Sequence, residues 1–390
     1  MSNNIMQALY NSISGLFSFS SGLNTISNNV SNMNTPGFRG SDSFFENVMG
    51  GDGTRVVGTG ENLTEGQIEQ ENSSTDTAIQ GDGFYILKDS SGNTYYTRSG
   101  QFEFNAKGLL VDSVNGYFVQ GFDPSGTLGN MDITNFKTLP AQATTTVNMK
   151  GNIQPTDPSD SVQSVTVFDP QGNPHVLTVT MTSNTAVTPG SWQVTITDSS
   201  GNTLGSGQVL FSSTDGSPVA GSDTVTMTSA LGGSTQSITF NFGAANGQSG
   251  VTSYQGLASD LSASVQDGHG IVGMSSESFD INGTLQIVYS DGETKAGPQF
   301  ALATFADESS MQLIQGNLYS QPNGQKALVG KANTPNFGQI EGSSLEMSNV
   351  DLTQELADMI VIQRGYQASS RVMTVSSDML QQLYDSTRGN

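Results

Sequence analysis

Apolar and aromatic residues return every seven positions near the end of this chain, at Leu352, Met359, Tyr366, Met373 and Leu380, and Leu356, Ile360 and Leu383 widen the stripe. A period of seven is a helical seam. Ser348, Asn349 and Asp351 supply start signals, and Glu355 and Asp358 fall in the early turns, where the positive end of the helix dipole favours carboxylates. A helix from Asp351 to Asp385 would run about 50 Å. With a single apolar stripe it is marginal alone and needs a partner. The same period appears at the other end, at Leu9, Leu16, Leu23 and Val30, thickened by Ile5, Ile13 and Ile26. The spacing predicts that the two termini pair as a helical hairpin or coiled coil, with everything between them a long excursion. Two core helices of an ordinary domain are the alternative. Ser20, Gln363, Ser370 and Ser377 interrupt the seam where an isolated coiled coil would want Leu, so such a seam is easily remodelled.

The first helix is predicted over Asn4 to Asn32, weakened by Gly15 and Gly22 at about 1 kcal/mol each relative to Ala. Its polar face is Ser, Asn and Gln. That face lacks the Lys and Arg an anionic membrane would attract, and it suits packing against copies of itself. The helix breaks in SNNVSNMNTPGFRG, where Pro36 and Gly37 make a turn and Phe38 an apolar anchor. From Ser41 to Thr75 no period is sustained, which predicts an extended linker with short strands.

From Asp76 the pattern changes to alternation punctuated by turn signals. DSSGN at Asp89 to Asn93 and NAKG at Asn105 to Gly108 have the composition of tight hairpin turns. A second β-rich block, about Gly151 to Asp280, alternates well enough to predict an antiparallel sandwich or barrel with Trp192 in its core. Asn282-Gly283 and Asp291-Gly292 mark further hairpins. The predicted fold class is multidomain: paired N- and C-terminal α-helices, coiled-coil-like, with mainly-β antiparallel domains nested in the middle of the chain. The nested plan joins residues 1–35 with 351–390 as a helical polymerisation domain and 36–75 with 338–350 as a linker region. It joins 76–150 with 281–337 as an inner β-rich domain and leaves 151–280 as an outer one.

Charge excludes several function classes. The 13 basic and 35 acidic residues give a net charge of -22, which disfavours nucleic acid. No charged side chain occurs from Met1 to Phe38, and no Lys or Arg lies between Lys150 and Lys295, so the outer block carries ten carboxylates with no compensating cation. No apolar run approaches the ~20 residues of a membrane span. The absence of cysteine removes disulfides and thiolate chemistry. Acidic pairs such as Asp76 with Asp82, or Asp157 with Asp160, lack a distinctive spacing, and no GxSxG element supports a triad for His175. GDGF at Gly81 to Phe84 lacks the rest of a dinucleotide fingerprint, and no Asp/Gly turn fits a calcium loop. No catalytic residue, cofactor or metal is expected.

SNNVSNMNTPGFRG near the start and LEMSNVDLTQELADMIVIQRGYQASSRVM near the end resemble the paired signatures of the bacterial flagellar rod, hook and hook-associated axial proteins. TAIQGDGFYILKD and YYTRSGQFEFNAKGLLVDSVNGYFVQGF resemble the middle signature, and SVTVFDPQGNPHVLTVTM the outer domain. Phe17 and Phe19 depart from the small residues usual in the first helix of that family. The resemblance implies a structural polymer rather than an enzyme. Length and the outer block favour a hook subunit, a self-assembling curved and flexible tube passing torque from rod to filament. A distal rod or hook-filament junction protein is the alternative within the family, and a secreted β-rich adhesin the alternative outside it. The implied partners are further copies of the chain, rod, hook cap and hook-filament junction proteins, and the type III export apparatus. The implied location is the extracellular hook adjoining the basal body, reached without a cleaved signal peptide. Carried over by position, Asn28, Asn29, Asn32, Gly37 and Phe38 match the N-terminal motif. Leu345, Glu346, Ser348, Asn349, Val350, Asp351, Gln363, Arg364 and Tyr366 match the C-terminal one. Assembly and domain-junction contacts are the implied roles.

Overall fold

The computed structural model describes residues 2–47, 53–315, 317–321 and 325–388. Residues 48–52 of the predicted linker, Gly316 in the last hairpin block and the final two residues lie outside the described residues. Helix α1 spans Ser2–Ser31 and helix α2 spans Leu352–Arg388. Asp351 caps α2: its Oδ1 accepts from the backbone N–H of Thr353 at 2.8 Å and of Gln354 at 3.3 Å. At the end of α1 the N–H of Asn32 still reaches the carbonyl of Asn28 at 3.1 Å, and the turn before Pro36 and Gly37 follows.

The chain divides into two compact units. One comprises Met1–Phe136, Ser275–Val288 and Thr294–Asn390; the other comprises Lys137–Met274 and Tyr289–Glu293. The first holds both helices. It also holds a hairpin that the sequence did not announce, β1 (Ser41–Asn47) with β2 (Thr54–Glu61). A register shift between Phe44 and Phe45 breaks the alternation that would have revealed it. Phe45 turns towards α1, its ring 6.3 Å from that of Phe19.

Beyond the hairpin, early and late segments of the first unit interleave. β3 (Ile68–Gln70) pairs antiparallel with Ser344–Glu346, and β4 (Thr77–Gln80) with Gln339–Gly342. The strand Phe84–Lys88 pairs with Thr294–Thr304 through Leu302 to Tyr85 and Ala303 to Phe84. An aromatic core fills the interior, with Tyr85 edge-on to Phe102 at 4.9 Å and Tyr96 edge-on to Phe305 at 4.9 Å. The buried Tyr85 hydroxyl is paired with Thr77 Oγ1 at 2.9 Å.

The second unit has a four-stranded antiparallel meander, Ser159–Phe168, Pro174–Ser183, Ser191–Asp198 and Thr203–Leu210. Its other sheet is mixed: Thr146–Asn152 runs parallel to Ser234–Asn241 and to Val251–Thr252, and antiparallel to Ser262–Val265. The expected antiparallel pairing runs through the meander, and the second sheet adds parallel neighbours to it, since alternation along a strand reports which face is buried and not the direction of its neighbour. Trp192, Val194 and Ile196 from the meander share one core with Val147, Met227 and Phe240 from the mixed sheet.

The turns follow one local rule. Asp89, Asp123, Asp198 and Asp280 each accept through Oδ1 from the N–H four residues on, and a glycine three residues on takes positive φ, 91° at Gly92 for example. The aspartate replaces backbone partners that a tight turn cannot supply. His175, in the strand Pro174–Ser183, packs onto such a turn, its Nε2 3.0 Å from Asp169 Oδ2. Burial alone would push the Asp169 carboxyl up, but hydrogen bonds from His175, Asn173 and Gln171 outweigh it and hold it well below the usual range.

Candidate assembly interface

The terminal helices pair, but their line of closest approach is not the leucine line. On α1 the buried positions are Ser12, Gly15, Ser18, Gly22, Ile26 and Asn29, while Leu9, Ile13, Leu16, Leu23 and Val30 are half-buried beside them. The glycines account for the shift. A Cβ on Gly15 would stand 2.9 Å from Ser369 Oγ, and one on Gly22 2.9 Å from Cδ1 of Ile362. On α2 a Cβ on Gly365 would stand 2.6 Å from the Phe19 ring. Positions that weaken each helix in isolation are those that let the two backbones close up.

The same shift turns much of the predicted α2 stripe outward. Met359 and Leu380 are half-buried together with Glu355, Ile362 and Ser369. Leu352, Leu356, Tyr366 and Met373 stand between 37% and 46% exposed, and Gln363 and Arg364 are exposed as well. Ile360, Val361, Val375 and Met379 join them, as do Met6, Tyr10 and Phe17 on α1. Within one chain, each helix therefore keeps an apolar face that its partner does not cover.

Just past α1 and just before α2, the motif residues form a junction. Asn29, buried, donates through Nδ2 to the Ser41 carbonyl at 2.9 Å and to Glu355 Oε1 at 2.7 Å, and accepts from the Ser41 N–H at 2.9 Å. Asn349 repeats the device: Oδ1 accepts from the Gly40 N–H at 2.8 Å, and Nδ2 donates to the carbonyls of Asn62 and Thr64, each at 2.8 Å. Val350 packs beside Gly40, and Ser348 Oγ accepts from the Val350 N–H at 3.3 Å. Asn32 bonds back to the Asn28 carbonyl at 2.9 Å, while Asn28 is exposed. Gly37 sits at φ 69°, its N–H 2.7 Å from the Glu346 carbonyl, and a Cβ there would meet the Ser99 nitrogen at 2.4 Å. Only glycine fits. Phe38 and Leu345 are buried on either side.

Two arginines that motif spacing did not single out lock this junction to the β-rich part of the same unit. Arg98 is 1% exposed; its Nε donates to Glu346 Oε2 at 2.8 Å, and its other nitrogens reach the carbonyls of Ile79, Gly81 and Gly83 at 3.1, 2.8 and 2.7 Å. Four of the five guanidinium N–H donors are thus bonded, and Glu65 Oε1 lies 3.8 Å from the Nη2 nitrogen. Arg39 lies 3.3 Å from Glu308 Oε2 and 5.3 Å above the Phe84 ring. Scarcity was the available signal, because a chain with 13 basic residues buries two of them. Burial raises the Glu355 carboxyl; the Asn29 hydrogen bond opposes this, while Asp42 and Asp358 add to it. Among the described residues no group of His, Asp and Glu is arranged to hold a metal ion.

Residues 9–39 match the profile described as flagella basal body rod protein and 341–385 the flagellar basal body rod FlgEFG protein C-terminal. Residues 78–155 match the flagellar hook protein FlgE/F/G D1 domain and 138–286 the flagellar basal body protein FlaE D2 domain. The flagellar hook protein FlgE of Escherichia coli is 30% identical over 96% of this chain and 99% of its own length. The chain belongs to the flagellar hook protein family. The hook protein FlgE of Borreliella burgdorferi is 26% identical over 97% of this chain and 99% of its own length. The crystal structure of Helicobacter pylori flagellar hook protein FlgE2 shares the fold, with a TM-score of 0.52 at 14% identity over 72% of this chain and all of that one. The chain is thus a structural subunit of the flagellar hook, located in the flagellum. Membership implies that it polymerises with itself and associates with other flagellar components.

Proposed function

We propose that this hook subunit builds a curved, flexible tube that passes torque from rod to filament, and that its terminal helices form the torque-bearing inner wall. The uncovered apolar faces of α1 and α2 carry this reading, because a paired helix that leaves Leu356, Ile360, Tyr366 and Met379 in water is completed by further copies. In this reading the nested plan has four levels: residues 1–35 with 351–390 polymerise, 36–75 with 338–350 transmit, 76–150 with 281–337 form an inner shell, and 151–280 an outer one. Leu9, Ile13, Leu16, Leu23, Ile26, Val30, Leu352, Leu356, Met359, Tyr366, Met373 and Leu380, with Gln363 and Arg364, supply contacts along the wall. Asn28, Asn29, Asn32, Gly37, Phe38, Leu345, Ser348, Asn349, Val350 and Asp351 fix the angle at which helices leave the β domains.

The outer block, acidic and without Lys or Arg between Lys150 and Lys295, repels its neighbours and slides past them as the tube bends. Rod, cap and hook-filament junction proteins are the proposed contacts at the tube's ends. The type III export apparatus is the proposed route out, without a cleaved signal peptide. A chain without cysteine suits transit as an unfolded thread, since no disulfide obstructs it. No helix among the described residues is long and apolar enough to cross a membrane. We assign the chain no catalytic step, no cofactor and no nucleic-acid partner. Leu16→Asp, Leu23→Asp, Met359→Asp and Tyr366→Asp are each expected to raise the critical concentration for polymerisation at least ~100-fold, since each buries an unpaired charge in the wall. Circular dichroism should show the β signal unchanged. Tubes of normal abundance from these variants, seen by electron microscopy, would overturn the assignment.

A further inference from the structure

Phe17 is 74% exposed, one of the most exposed large apolar side chains described, on a helix without a charged residue. A groove of about 270 Å³ lies between α1 and α2 at nearly the same height. Phe19, Leu23 and Ile362 contribute its apolar lining, and Gln363, Tyr366 and Gln367 its α2 side. We infer that Phe17 of one subunit inserts into this groove of the next, making a head-to-tail contact between copies of the chain. The inference rests on the hook reading, in which the chain polymerises with itself, and adds to it which side chain enters which cleft.

Three observations select this pairing. Phe17 and Leu23 are six residues apart, which at about 100° per residue points them a third of a turn apart around α1. Knob and groove therefore occupy different sides of the helical pair, as a heterologous contact requires and a two-fold contact does not. Their axial offset is small, about 9 Å at most between residues 17 and 23. Successive copies displaced mainly by rotation about a common axis then bring one to the other. Finally, the groove presents two aromatic side chains, Phe19 and Tyr366, and no charged group, so an entering phenyl ring meets edge or face partners and strands no ion.

The test replaces Phe17 by p-benzoyl-phenylalanine in the full chain, which keeps an aromatic ring there, and irradiates monomer and polymer separately. The expected result is a crosslink from position 17 to residues 362–367 or 19–23 of a second copy, in polymer only, mapped by mass spectrometry. Phe17→Ala should raise the critical concentration ~30-fold, as truncating an anchor side chain does. Polymers whose crosslinks join position 17 to residues 10–18 of the neighbour, to β2 or to nothing would overturn the groove and leave the hook reading standing. Failure of the unmodified chain to polymerise would overturn both.

Discussion

The paired terminal helices and the second β-rich unit solve the same problem in opposite ways. In the second unit Trp192, Met227, Phe240 and Phe242 are fully buried, and the apolar faces of two sheets close on each other. In the helical pair the deepest positions include Ser12, Gly15, Gly22 and Asn29, while Leu356, Tyr366, Met379 and Tyr10 stay between 46% and 63% exposed. One region is finished when the chain has folded. On the reading proposed above, the other is covered by further copies, and its apolar side chains then report on assembly rather than on the stability of a monomer.

The largest effect that would sharpen this contrast comes from the closed core. Trp192→Ala should destabilise the second unit by about 3–5 kcal/mol, read as a lowered denaturation midpoint in tryptophan-independent circular dichroism. The critical concentration for polymerisation should hold at low temperature, where that unit remains folded. A proportionate loss of polymerisation there would break the distinction. A smaller effect is expected within the pair: Gly22→Val, which forces a side chain against Ile362 and Phe45, should cost about 1–3 kcal/mol by overpacking, seen as lost helical signal in the monomer. Leu16→Ala, at a half-buried position, should leave that monomer signal nearly unchanged.

The smallest effect concerns Glu355. Burial holds its carboxyl above the usual range, so its charged form disfavours the folded state at neutral pH. Glu355→Gln keeps an acceptor for Asn29 and should raise the midpoint slightly at pH 7. The gain should fade as pH falls through the raised folded value and vanish below roughly 4, where both forms are neutral. A gain that persists in acid would mean the substitution acts through packing instead.

Much of this was legible in the sequence because the period of seven survives at both ends, and because Asp-x-x-Gly turns mark the hairpins. The line of helix contact was not legible, since Gly15 and Gly22 read as weak points until the partner helix stands against them. The β1–β2 hairpin hid behind its bulge at Phe44 and Phe45. Arg98 and Glu346 are separated by 248 positions, and nothing local to either announces the other. Of the family motifs, Asn29 and Asn349 were readable as positions but not as paired clamps on Ser41 and Gly40.

The pairing of Ile68–Gln70 with Ser344–Glu346 has a consequence for timing. A ribosome that has made the first three hundred residues has made only one edge of that ladder, and Arg98 has only the exposed Glu65 beside it until its buried partner Glu346 arrives. Closure of such distant contacts is slow compared with local helix or hairpin formation. The arrangement therefore builds a delay into maturation: the second unit needs nothing beyond residue 293, whereas the first stays unlocked until residues 339–346 are supplied.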